Sequence, residues 1–142
     1  MIYIGIDTGR ETGFAVWDGS RLTDVRTTSI HDAIFRVLEL RKAEIAGGDG
    51  VTVVIEDARQ RTWLPRERTL TEYRGKLMGA GSVKRDATVW EDFCKDYGVR
   101  LIKVPPHAGL TKWTAGYFAC VTGWKGRTSN HARDAAMLVF GR

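Results

Sequence analysis

Three acidic residues stand where a fold displays side chains to a ligand: Asp7, Glu56 and Asp134. Asp7 closes the apolar run Ile2–Ile6, and Glu56 closes Val51–Ile55, so both sit at the ends of predicted strands. Asp134 lies in NHARDAAMLVF, at the front of the last helical stretch. Two carboxylates about 4 Å apart repel by around 4 kcal/mol at an effective dielectric of roughly 20, so a cluster of three requires a cation or bound protons. Oxygen ligands of this kind suit Mg²⁺, with Mn²⁺ as a substitute. Two such ions about 3.5–4 Å apart can clamp an in-line phosphoryl displacement. One would activate a water and the other would stabilise the leaving 3′ oxygen, giving 5′-phosphate and 3′-hydroxyl ends. Taken singly, each acid has a plainer explanation, because an Asp at a helix N-terminus is favourable with the dipole. Taken together they predict a metal-dependent nuclease.

His131 stands three residues before Asp134, so both can face one side of a helical turn. Ser129 or Asn130 is the expected N-cap of that helix. Two readings of His131 stand beside each other: a metal ligand or proton carrier, and a surface residue of the first turn.

The elements that must position these groups follow from periodicity. Ile2–Ile6 reads as a buried strand, and Phe14–Trp17 as a second, turned at Asp18-Gly19 into a third and more exposed strand over Arg21–Thr28. A helical period runs over residues 31–46 and is stopped by Gly47–Gly50. Val51–Ile55, short, continuously apolar and β-branched, suits a central parallel strand. A polar stretch over Asp57–Arg68 opens toward a helix predicted from about Val83 to Tyr97. Arg100–Val104 is the fifth strand, halted by Pro105-Pro106, and two helices are expected near Thr111–Val121 and His131–Phe140. Three meandering strands followed by alternating helix and strand make an α/β protein. Its mixed five-stranded sheet, flanked by helices, has three antiparallel and two parallel strands. This is the element order of the ribonuclease H-like fold, in which strands one and four are parallel neighbours and bring Asp7 and Glu56 side by side.

At 142 residues the chain has room for one domain with a core, expected to span residues 1–142. Its apolar fraction of 43% and charged fraction of 27% are those of a globular protein. No run approaches the roughly 20 apolar residues of a membrane span, and no signal-peptide pattern opens the sequence, so a cytoplasmic protein is expected. Cys94 and Cys120 lack metal-ligand spacing and are expected to be buried free thiols. The net charge of +5, from 22 basic against 17 acidic residues, gains weight because several acids are assigned to one site, leaving the remaining surface more positive. Arg59, Arg61, Arg66, Arg68, Arg74 and Lys76, with Trp63 and Tyr73 among them, combine phosphate-gripping and base-stacking groups, and Lys84 and Arg85 extend the patch. That mixture fits branched or strand-separated nucleic acid, and a solvated charged loop fits it too.

The segments GIDTGRETGFAVW, VVIEDAR, GAGSVKRDATVWEDF and NHARDAAMLVF, in this order, resemble the RuvC family of Holliday junction resolvases. The resemblance implies a ribonuclease H-like homodimer that nicks four-way DNA junctions symmetrically with two divalent metals. It places the family's acids on Asp7, Glu56 and Asp134, and puts His131 where relatives carry His or Asp. Lys112, in LTKW, is similar to a family lysine near the scissile phosphate; an exposed helical lysine is its other reading. Departures are visible too. Family members carry an aromatic residue just after the Glu strand, whereas Arg59 stands here and the nearest aromatic is Trp63. The chain is shorter than typical members and looks like compact phage-encoded relatives. A dimer is expected to use the helices around residues 70–95, where Leu77, Met78, Val83 and Trp90 are apolar, although core packing explains these equally. Other readings are a ribonuclease H-like nuclease of broader branched-DNA or RNA specificity, such as an rRNA-processing enzyme, and a non-catalytic DNA-binding module. An actin- or sugar-kinase-like ATPase, built on GIDTG and Gly13, would need a second such domain.

Overall fold

The computed structural model describes residues 1–47, 50–60, 69–106 and 112–142; the side chains at 44–47, 70, 73, 74, 76–80 and 83 stand outside this description. Strands β1 (Ile2–Asp7), β2 (Thr12–Trp17) and β3 (Leu22–Thr28) form an antiparallel meander. Helix α1 (Ile30–Gly47) leads to β4 (Val51–Glu56), and α2 (Leu70–Asp96) leads to β5 (Arg100–Val104). Helices α3 (Ala115–Thr122) and α4 (Asn130–Met137) follow. The sheet order is β3-β2-β1-β4-β5, with β1, β4 and β5 parallel, which is the expected topology. The Asp18-Gly19 turn is present. Asp18 Oδ1 accepts hydrogen bonds from the Ser20 hydroxyl and from the Arg21 and Ser20 amides, which hold its carboxyl down near 2, and Gly19 takes the positive φ that a side chain would resist.

Period-two alternation divides the sheet into two apolar faces. Ile4, Ile6, Phe14, Val16, Val53 and Ile55 pack with Val37 of α1 and with Ala87, Trp90 and Phe93 of α2. Ala15, Trp17, Val25 and Val54 face Phe118 of α3 and Ala132, Ala135, Ala136 and Val139 around α4. The same alternation carries the site. Residues 5 and 7 share a face of β1, as residues 54 and 56 do on β4, so Asp7 and Glu56 follow Gly5 and Val54 onto the α4 side.

Three expectations change here. Helix α2 starts at Leu70, well before Val83. Its signal was the box Thr69-x-x-Glu72, in which Thr69 Oγ1 accepts from the Glu72 amide at 3.2 Å. Gly75, Gly79 and Gly81 conceal the helix, each lowering helix propensity by about 1 kcal/mol. Trp90, considered for a dimer surface, is fully buried in the core; the side chains of Leu77, Met78 and Val83 lie outside the described residues. Cys94 is buried as expected, and burial pushes its thiol up to about 12, but Cys120 is exposed because α3 seats mainly Phe118 in the core. No helix among the described residues is long and apolar enough to cross a membrane.

Candidate active site at the ends of the parallel strands

Parallel pairing puts Ile6 opposite Ile55, so the next residues, Asp7 and Glu56, emerge side by side from adjacent strands. Helix α4 crosses above them. Its N-cap is Ser129, whose Oγ accepts from the Ala132 amide at 3.0 Å, and Thr27 Oγ1 of β3 bonds the same hydroxyl. This cap fixes the first turn, and with it His131 and Asp134 at i and i+3. The approach is close because two sheet positions are glycine: a Cβ on Gly5 would lie 2.0 Å from the Ala135 carbonyl oxygen, and one on Gly13 would lie 2.0 Å from that of His131.

All five residues expected to carry the chemistry line one open cleft of about 540 Å³: Asp7, Glu56, Lys112, His131 and Asp134. His131 Nδ1 lies 2.8 Å from Asp7 Oδ2; in the tautomer that donates to a carboxylate, its Nε2 is left as an acceptor. Lys112 Nζ lies 3.4 Å from Asp134 Oδ2. Burial raises the Asp7 carboxyl above its usual value, the His131 hydrogen bond opposes this, and the Asp134 charge raises it further. Thr8, Trp113 and Arg142 also line the cleft, and sequence reasoning did not single them out. Trp113 and Thr8 had a signal in being adjacent to Lys112 and Asp7; Arg142 had none.

The donor set fits a hard divalent cation by its chemistry: three carboxylates and one imidazole on a solvent-open cleft. As the side chains stand, no three His, Cys, Asp or Glu groups among the described residues are close enough to share one ion. Asp7 and Asp134 instead turn toward His131 and Lys112.

The basic patch divides. Arg61, Trp63, Arg66 and Arg68 lie outside the described residues, and Arg74 and Lys76 stand on α2 with side chains outside the description. Lys84 and Arg85 are exposed on α2. Arg59 does not present a free guanidinium. It donates to Asp57 Oδ1 at 2.8 Å and to Glu91 Oε1 at 2.6 Å, and Lys103 donates to the same Glu91 oxygen at 2.7 Å. These bonds join the 3-10 turn at Ala58–Gln60 to α2 and β5. They hold the Glu91 carboxyl near 2, below its ordinary 4.5. A depressed carboxyl stabilises the fold above pH 4.5, and the contribution is lost as pH falls from there toward 2. Glu91→Gln is therefore expected to lower Tm at pH 7, with the gap from wild type closing between pH 4.5 and 2. A gap constant across that range would show that the charge of Glu91 is not what matters.

No protein-family model matches the chain, and no curated protein matches its sequence. Among solved structures, RuvC from Thermus thermophilus is similar at 18% identity and a TM-score of 0.50, over 97% of this chain and 90% of that one. Thermus thermophilus RuvC in complex with Holliday junction substrate gives 17% identity and a TM-score of 0.48, over 97% and 89%. The first likeness is one of architecture: the chain has a RuvC-like, ribonuclease H-like fold.

Proposed function

We propose that this chain is a divalent-metal-dependent endonuclease that cuts branched DNA, with four-way junctions as its preferred substrate and a homodimer as its working form. One observation carries the nuclease reading: Asp7 and Glu56 from parallel strand ends and His131 and Asp134 from one helical turn converge on a single cleft with Lys112. The junction preference and the dimer rest on the motif resemblance between GIDTG, VVIED and H-x-x-D-A-A here and those of the RuvC family.

In this reading Asp7, Glu56, Asp134 and His131 hold Mg²⁺, or Mn²⁺ in its place. Held there, the ion would supply an activated water and would neutralise charge building on the scissile phosphate. The protein's own groups do the rest. Lys112, 63% exposed at the cleft, offers an ammonium to a phosphate oxygen in exchange for Asp134. His131, oriented through Nδ1 by Asp7, presents Nε2 for proton transfer or ligation. Lys84 and Arg85 offer phosphate contacts on α2, together with Arg61, Arg66, Arg68, Arg74 and Lys76 and the stacking surface of Trp63. Arg59 reaches DNA only by giving up its bonds to Asp57 and Glu91.

The test is a labelled four-way junction beside a linear duplex of matched sequence, each with Mg²⁺, Ca²⁺ or EDTA. Paired symmetric nicks in the junction alone, in Mg²⁺ and not in Ca²⁺ or EDTA, are expected. Equal cutting of duplex, flaps or RNA would keep the nuclease site and remove the junction preference. Tight junction binding with no cleavage in any metal would leave a binding module.

A further inference from the structure

We infer that Arg133, a residue outside the acidic constellation, is the positioning residue that holds Lys112 at the cleft. Arg133 lies on α4 and is only 7% exposed, an unusual place for a guanidinium. Its three nitrogens are all engaged. Nε donates to the Trp113 carbonyl at 2.8 Å, Nη1 to the Thr128 carbonyl at 2.8 Å and hydroxyl at 2.9 Å, and Nη2 to Asn130 Oδ1. Among the described residues no carboxylate pairs with it, so the acceptors are two backbone carbonyls and two neutral side chains. Burying a charge this way is costly, and the rigid fork of arginine offsets the cost only where several acceptors are fixed around it. Here the fork clamps two separate pieces of chain to α4: the 128–130 approach to the helix, and the segment at Trp113, twenty residues away.

The second tie bears on the site because of sequence adjacency. Lys112 precedes Trp113, and Asp134 follows Arg133. Fixing the Trp113 carbonyl on Arg133 therefore fixes the backbone from which Lys112 reaches Asp134. Lys112 itself is mostly exposed, and an exposed ion pair is too weak to hold a long side chain in place. The same tie steadies the start of α3, where Thr114 accepts from the Tyr117 and Phe118 amides. The inference deepens the nuclease reading in assigning a task to Lys112, but the tie itself requires no activity.

Two measurements separate these parts. In metal-free protein, amide hydrogen exchange at Tyr117 and Phe118 is expected to quicken at least about tenfold in Arg133→Met and Arg133→Lys, with the β1 amides of Ile4 and Ile6 unchanged. Unchanged exchange at Tyr117 and Phe118, or equal acceleration at β1 in both variants, would overturn the inference. In single-turnover junction cleavage with Mg²⁺, Arg133→Lys is expected to lose roughly 10–100-fold in rate without weaker junction binding. Lys112→Met added to it is expected to cost nothing further, because a lysine no longer positioned has nothing left to lose. Additive losses would overturn the positioning role. A wild-type protein that cuts nothing would instead refute the nuclease reading, leaving the exchange result to decide the tie.

Discussion

Gly13→Ala is expected to lower stability by about 3 kcal/mol, the upper end for forcing extra volume into packed structure, and to lower Tm by roughly 10 °C. An added Cβ would lie 2.0 Å from the His131 carbonyl oxygen, 2.5 Å from its carbon and 3.0 Å from Asp7 Cβ. The first two are backbone atoms of α4 and cannot swing aside as a side-chain tip would. The helix must therefore lift or β2 must bend. Lifting α4 at His131 would also break the 2.8 Å bond to Asp7, so cleavage should fall with stability. Gly9→Ala is the matched control. Its Cβ would meet nothing nearer than 3.7 Å, and Gly9 has no positive φ, so its Tm should stay near wild type. Equal Tm values for the two variants would show that α4 does not rest on β2 as closely as described.

What was legible in the sequence tracks how local each signal is. Asp7 and Glu56 each end an apolar β-branched run, and parallel pairing of two such runs is enough to place them together. His131 and Asp134 were legible through the helical period, and Ser129 through capping chemistry. The signals that failed depend on contacts distant in sequence. Gly13 stood just outside the strand predicted over Phe14–Trp17 and was weighed only for a phosphate loop, and the arrival of a helix from residue 130 onward explains why it has no side chain. Arg59 reads as a phosphate-binding arginine from its neighbours in sequence, yet Glu91, on a different element, claims its guanidinium. Arg133 falls between two candidate site residues and drew no reading from the sequence. Its acceptors come from Trp113 and Thr128, which no periodicity connects. The length of α2 is a different kind of miss, because its start signal was local and glycine-lowered propensity outweighed it.

Asp7→Asn is expected to reduce junction cleavage by about a thousandfold, the rate equivalent of the several kcal/mol a bound metal contributes to phosphoryl transfer. It should do so without loosening the fold. Asn keeps the size of Asp and an oxygen able to accept from His131 Nδ1, so the contact to α4 survives the change. The charge is another matter. Burial first, and the Asp134 charge in addition, raise the folded-state value of this carboxyl above its ordinary 3.8. An acid whose value is raised by folding destabilises the native state progressively as pH climbs from the ordinary value to the raised one, and fully above it, because the unfolded chain holds the charged form more easily. At pH 7 the metal-free variant should therefore match or exceed wild type in Tm. Added Mg²⁺ should reverse that order, raising the Tm of wild type by ligand linkage and that of Asp7→Asn much less. Junction affinity in Ca²⁺ should be nearly unchanged, since the phosphate-binding groups remain in place. A variant that melts early or no longer binds junctions would give Asp7 a structural role instead. A variant that responds to Mg²⁺ as wild type does, and still cleaves, would move the metal away from the ends of β1 and β4.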